Sequence, residues 1–180
     1  MGETEERLCD AKGFGELIAG MARRVASDGL PGAPLRLVGI RSRGYPIASR
    51  LADALGPLVG VGVPVGAVDI TLYRDDLDQA ARWPVLHGTE ISFDVEGADV
   101  VLVDDVLFSG RTVRAALNAV CDLGRPSRVR LAVLVDRGHR ELPIEPDVVG
   151  LTVTTGRGDR VRVRLTPTDA ADEVVLIARP

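Results

Sequence analysis

Val100-Val-Leu-Val-Asp-Asp-Val-Leu-Phe-Ser-Gly-Arg-Thr112 decides how this chain is read. Its first four residues are apolar and mostly β-branched, the composition of a strand buried on both faces of a parallel sheet. From Val113 the apolar residues recur at Ala116, Leu117 and Val120, a helical spacing, so the stretch predicts strand, loop, helix. The loop opens with two adjacent carboxylates, Asp104 and Asp105, at the strand's C-terminal end, and continues through small residues carrying the hydroxyls of Ser109 and Thr112. Open α/β sheets bind ligands at this edge. Unpaired amides in the first helical turn, aided by the helix dipole, make an anion seat that Ser109 and Thr112 can complete. A phosphate fits the seat, and the acid pair beside it suits sugar hydroxyls or the water shell of a magnesium ion. One ligand having both parts is a ribose 5-phosphate.

Composition narrows the class. A chain of 180 residues suits one domain, 1–180, with room for a proper core. With 46% hydrophobic and 27% charged residues it reads as a soluble globular protein, and a net charge of −4 gives no global reason to expect nucleic acid. Lys12 is the only lysine beside 21 arginines. That excludes a Walker-type phosphate loop, which needs a Lys, and a response-regulator receiver, which pairs its acids with a later Lys. Cys9 and Cys121 lack metal-site spacing, and Cys121, on the helix after the loop, is expected to be a buried small residue. The charged start and the absence of a long apolar run predict a cytoplasmic protein without a membrane segment.

Outward from the centre, Phe14, Leu17, Ile18, Met21, Ala22 and Val25 predict an amphipathic helix over residues 12–27. Residues 35–40 read as the first core strand, and Pro46 as the first-turn proline of a helix running to Leu55. Between them Arg41-Ser-Arg-Gly44 is either a solvated turn or, beside a second phosphate, a pyrophosphate clamp. Residues 63–73 form a long β-rich run, followed by a polar stretch holding Arg74, Arg82, Trp83 and His87, and residues 89–94 are expected to return as a second arm. Such a segment is a hairpin tip or a lid over a charged substrate. Residues 129–135 make another continuous apolar strand, with Asp136-Arg-Gly-His-Arg140 at its ligand-binding end. His139 reads as a hydrogen-bonded or surface histidine rather than a metal ligand. Residues 148–153 and 173–177 are further strands, and Arg160, Arg162 and Arg164 alternate along one strand face, usually a solvated one.

The central stretch resembles the signature loop of the type I phosphoribosyltransferases, which bind phosphoribosyl pyrophosphate (PRPP). More narrowly, Leu37-Val-Gly-Ile-Arg-Ser-Arg-Gly44, Val68-Asp-Ile-Thr-Leu-Tyr-Arg-Asp-Asp-Leu77, Leu123-Gly-Arg-Pro126 and Leu131-Ala-Val-Leu-Val-Asp-Arg-Gly-His-Arg-Glu-Leu-Pro143 resemble the PyrR family over residues 35–143. Its members are uracil phosphoribosyltransferases that also bind pyrimidine-operon messenger RNA. The resemblance implies an α/β fold, an open, mostly parallel sheet flanked by helices, with a flexible hairpin lid and a small hood.

It also implies residue roles. Asp104 and Asp105 would hold the ribose hydroxyls, and Val106, Leu107, Phe108, Ser109, Gly110, Arg111 and Thr112 would wrap the 5-phosphate. Ser42, Arg43 and Gly44 would meet the pyrophosphate, Arg74 would act in catalysis from the loop, and Arg137 would lie near the base. Magnesium would arrive with the substrate rather than on a protein site of its own. The implied reaction makes UMP from uracil and PRPP in a homo-oligomer. The alternatives are a nucleotide-sensing RNA regulator with little catalysis, or a relative that uses another base. The family usually has Tyr-Thr where this chain has Phe108-Ser109, and it carries cations where Glu145 and Leu151 stand. Losing cations weakens phosphate contacts, so RNA binding is expected to be weak or absent.

Overall fold

The computed structural model describes residues 4–71 and 88–178. Eleven elements follow in order: β1 (Thr4–Cys9), α1 (Ala11–Ser27), β2 (Leu35–Ile40), α2 (Gly44–Val59), β3 (Val65–Val68), β4 (Asp99–Leu107), α3 (Arg111–Cys121), β5 (Arg128–Asp136), β6 (Val148–Thr152), β7 (Arg160–Arg164) and β8 (Glu173–Ala178).

Five strands make one parallel sheet in the order β3-β2-β4-β5-β6. The central strands bury nearly every residue, because helices cover both faces, which is why they read as unbroken apolar runs. On one face α1 and α2 pack Phe14, Met21, Ile47 and Leu51 against Val101, Val103 and Leu134. On the other, α3 lays Val113, Ala116 and Val120 over Leu102, Leu131 and Val133. Helix α1 begins where the Asp10 side chain accepts a 2.9 Å hydrogen bond from the Gly13 amide, an N-cap. Chain order reverses between β2 and β4, so their C-terminal ends open a crevice.

The second, antiparallel sheet, β1-β8-β7, joins the two ends of the chain. Sequence reading missed β1, since Thr-Glu-Glu-Arg-Leu-Cys has no apolar alternation and its first four residues are exposed. Its strand conformation comes from pairing with β8. Arg164 is likewise no free cation of a solvated stripe: it bonds Glu5 at 2.8 Å and Glu173 at 2.7 Å, across the sheet. Arg7 adds a 2.8 Å pair to Glu173.

Four further expectations are corrected. Of the run over 63–73, the described residues 63–71 form only the four-residue β3, after which Asp69 accepts the Thr71 amide at 2.9 Å and turns the chain. Residues 72–73 lie outside the described residues. Residues 89–94 form no second arm; only Glu90 bridges back, to Ala67. Cys121 is exposed, since the last residue of α3 has rotated off the face that buries Val113, Ala116 and Val120. Helix α2 runs past Leu55 and Pro57 to a left-handed Gly60 (φ 74°), which ends it.

Candidate functional site

Strand β4 continues through the acid pair instead of ending before it: Asp104 still pairs with Val133, and Leu107 with Asp136. Strand backbone thus holds both carboxylates rather than a loop. Asp104 is buried at 7% exposure and Asp105 half-buried. Asp104 Oδ1 accepts the Asp105 amide at 2.9 Å, and Asp105 Oδ1 accepts the Val106 amide at 2.9 Å. Burial first, and then the facing Asp105 charge, push the Asp104 carboxyl well above the usual carboxylate range. Asp105 is also raised by burial, though its hydrogen bonds and the Arg43 guanidinium pull the other way.

Beside the pair lies a cavity of about 450 Å3. Arg41, Ser42 and Arg43 form one wall, Asp69, Ile70 and Thr71 a second, and Asp104, Asp105, Val106 and Thr112 the third. Two glycines bring the first wall close. A β-carbon on Gly39 would run into the backbone of Tyr45, and one on Gly44 into the carbonyl of Val103, so the arginine turn folds flat onto the sheet edge. The second wall was not foreseen as part of the site, although the motif beginning at Val68 covers it. The end of β3 is simply a third strand terminus on the ligand edge.

Gly110, in the left-handed region (φ 90°), turns the chain into α3, which places Thr112 in the first turn with its unpaired amides. The Ser109 hydroxyl accepts the Arg111 amide at 3.4 Å. Two expected ligand side chains are engaged elsewhere. Leu107 is buried in the core, leaving only its backbone for the loop, and that carbonyl accepts the Arg137 amide at 3.1 Å. The Arg111 side chain is turned to Glu141, with Nε 2.9 Å from Oε2. Arg137 is buried but does not line the cavity. Its guanidinium lies 4.3 Å over the Phe108 ring and donates to Thr155 Oγ1 at 3.3 Å and the Gly156 carbonyl at 3.0 Å. His139 meets the edge of Phe108 and bonds the Thr155 carbonyl at 2.7 Å. Arg140 forks onto Asp136 at 2.8 and 2.7 Å and holds the Ile144 carbonyl, so the turn after β5 is braced from within. Arg74 lies outside the described residues.

Residues 5–164 match the phosphoribosyl transferase domain. The chain is 50% identical to a Bifunctional protein PyrR of Roseiflexus sp. over 97% of this chain and 96% of that one. It is 56% identical to the Bifunctional protein PyrR of Listeria monocytogenes over 79% of this chain and 80% of that one. The chain belongs to the PyrR family of phosphoribosyltransferases. The likeness to PyrR proteins thus runs well beyond residues 35–143, into the antiparallel sheet formed by both ends of the chain. The hypoxanthine phosphoribosyltransferase of Trypanosoma cruzi superposes with a TM-score of 0.70 over 97% of each chain, at 19% identity, which establishes the shared fold. A PyrR-type phosphoribosyltransferase has, in this chain, Phe108 and Ser109 in the loop and Glu145 exposed after β5. Among the described residues no helix is long and apolar enough to cross a membrane.

Proposed function

We propose that this phosphoribosyltransferase moves a ribose 5-phosphate from PRPP to uracil, giving UMP and pyrophosphate. The observation that carries the reading is a polar cavity that joins an acid pair, a helix N-terminus and an arginine turn. Each matches one part of PRPP. Asp104 and Asp105 accept the ribose hydroxyls, whose protons answer the charge of one buried and one half-buried carboxyl. The loop from Val106 to Thr112 takes the 5-phosphate through its amides and the Thr112 hydroxyl. Ser42, Arg43 and Gly44 take the pyrophosphate, with Arg41 on the same wall.

The C1–oxygen bond breaks with its electron pair leaving on pyrophosphate, a base nitrogen bonds to C1, and that nitrogen's proton departs. Positive charge develops on the sugar beside Asp104 and Asp105, and negative charge on the leaving group beside Arg43, so both ends of the cavity favour the transition state. Magnesium carried by the pyrophosphate would neutralise part of that charge, and the acid pair has oxygens that could accept hydrogen bonds from its water shell. For the base we favour the side of Phe108 and Arg137, supported by the desolvated guanidinium against the ring. Incubating a panel of bases with PRPP and magnesium, reading pyrophosphate release, tests the reading: uracil is expected to lead, and release with a purine alone would overturn it.

Thr112→Val is expected to weaken 5-phosphate binding by about 1 to 2 kcal/mol, since it deletes one hydroxyl and leaves the amides. Calorimetric titration with UMP checks it, and unchanged affinity would remove that hydroxyl from the seat.

Leader RNA is proposed to bind weakly. Glu145 is exposed and would repel phosphate, and Leu151 is half-buried and uncharged. Glu145→Arg with Leu151→Lys is expected to steepen the salt dependence by about two log–log units. Tight, UMP-stimulated filter binding by the unaltered chain at physiological salt would overturn this.

A further inference from the structure

The antiparallel sheet β1-β8-β7, the hood, does more than join the chain ends, because the segment between β7 and β8, residues 165–172, reaches α2 and its N-cap through two carboxylates. Asp172 grips Arg50 with both oxygens, at 2.6 and 3.0 Å, and also accepts the Thr166 amide at 2.8 Å. That pair lies along the helix and fastens the hood to it. Asp169 reaches further toward the sheet edge. Its Oδ2 accepts Arg43 Nη1 at 2.6 Å and the Leu165 amide at 2.7 Å, while its own amide donates to the Leu165 carbonyl at 2.8 Å. Backbone therefore fixes the carboxylate independently of Arg43. Arg43 lines the cavity, and its charge also acts on Asp105 on the opposite wall. One cation thus stands between a hood carboxylate and the acid pair.

We infer that Asp169 is a positioning residue: it holds the Arg43 guanidinium in place for the pyrophosphate group of the substrate. An arginine at the start of a helix loses several rotatable bonds of freedom when it grips an anion, and a carboxylate already bonded to it removes that loss in advance. The Asp169 contact occupies one nitrogen of a fork with five N–H groups, so donors remain for a phosphate oxygen. The inference rests on the pyrophosphate role proposed for Arg43 and adds its second anchor, from the far end of the sequence.

Asp169→Asn keeps the shape and an acceptor for Leu165 but drops the charge that orients Arg43. Calorimetric titration with magnesium PRPP is expected to show affinity falling about tenfold, while ribose 5-phosphate, which lacks the pyrophosphate, stays within about twofold. Asp172→Asn, which loosens the hood without touching Arg43, is expected to leave the ratio of the two affinities unchanged. In an Arg43→Ala background, Asp169→Asn is expected to have no further effect on PRPP. Should Asp169→Asn fail to fold, Asp169→Glu, which keeps the charge but shifts the guanidinium, is expected to give a selective loss of PRPP affinity of the same sign. Equal losses for both ligands would reduce Asp169 to a structural residue, unchanged PRPP affinity would sever it from Arg43, and tighter PRPP binding would make it a competitor; each overturns the inference. These titrations need no acceptor base, so they stand or fall separately from whether uracil is the acceptor.

Discussion

Replacing Asp104 and Asp105 together by Asn is expected to lower turnover by about a thousandfold or more, and at neutral pH to raise the melting temperature. Both effects have one origin. The pair sits at a strand end where burial raises both carboxyls above their ordinary value of 3.8, and the Asp105 charge raises Asp104 further. A carboxyl whose folded-state pKa stands above its unfolded value holds its proton more tightly in the fold, so ionising it destabilises the fold. That penalty is absent below about pH 4, grows as pH rises through the raised values and is complete above them. Asn keeps an oxygen for the Asp105 and Val106 amides and carries no such penalty. The gain in melting temperature is therefore expected to be largest on the alkaline side and to close toward pH 4. Thermal scans across this range, with pyrophosphate release measured alongside, check both halves. Full turnover in the double variant would remove the pair from the chemistry, and a gain independent of pH would remove the electrostatic account.

Gly44→Ala is expected to damage both stability and PRPP binding. The added carbon would overlap the Val103 carbonyl oxygen and come within 3.2 Å of the Val103 carbonyl carbon and 3.3 Å of Asp104 Cα. All three are backbone atoms of β4, so no side chain can turn aside, and α2 has to move off the sheet. Overpacking of this kind costs about 1–3 kcal/mol, and the upper end is expected where the obstacle is backbone. The same movement separates Arg43 from Asp105 and opens the cavity between its first and third walls. A misplacement of about an ångström is enough for a hundredfold loss in a positioned site. Gly15→Ala is the matched control: it lies in α1 with nothing within 4 Å of the new carbon, and it is expected to stabilise by about 0.5–1 kcal/mol. Urea melts and PRPP titrations of both variants check the contrast. Unimpaired PRPP binding by Gly44→Ala would show that the close approach of α2 to β4 is not needed.

Much of this was legible from local pattern. Strands β2, β4 and β5 announce themselves because a sheet covered on both faces demands continuous apolar residues, and α1 because its buried residues recur every three or four positions. The acid pair and Thr112 were legible because the strand-to-helix turn that carries them is contiguous in sequence. The arginine turn was ambiguous alone, since two arginines after a strand are usually a solvated loop. Only the parallel pairing of β2 with β4, which sets Gly39 beside Val103, brings Arg43 to the acids.

Tertiary structure alone decided the rest, and in each case the reason is an interaction partner distant in sequence. Strand β1 exists because β8 offers it an edge, not because Thr4–Cys9 has strand character. Arg164, read as part of a solvated stripe, is taken by Glu5 and Glu173, and Arg111, read as a phosphate ligand, by Glu141. Asp69 and Thr71 became cavity wall because β3 stops after four residues and leaves them at the ligand edge. Asp169 carries no motif, and its meeting with Arg43, 126 positions earlier, follows from the hood folding back over α2. Local periodicity records which face of an element is buried, whereas which charges meet is set by how the elements are stacked, and no window of sequence contains both partners.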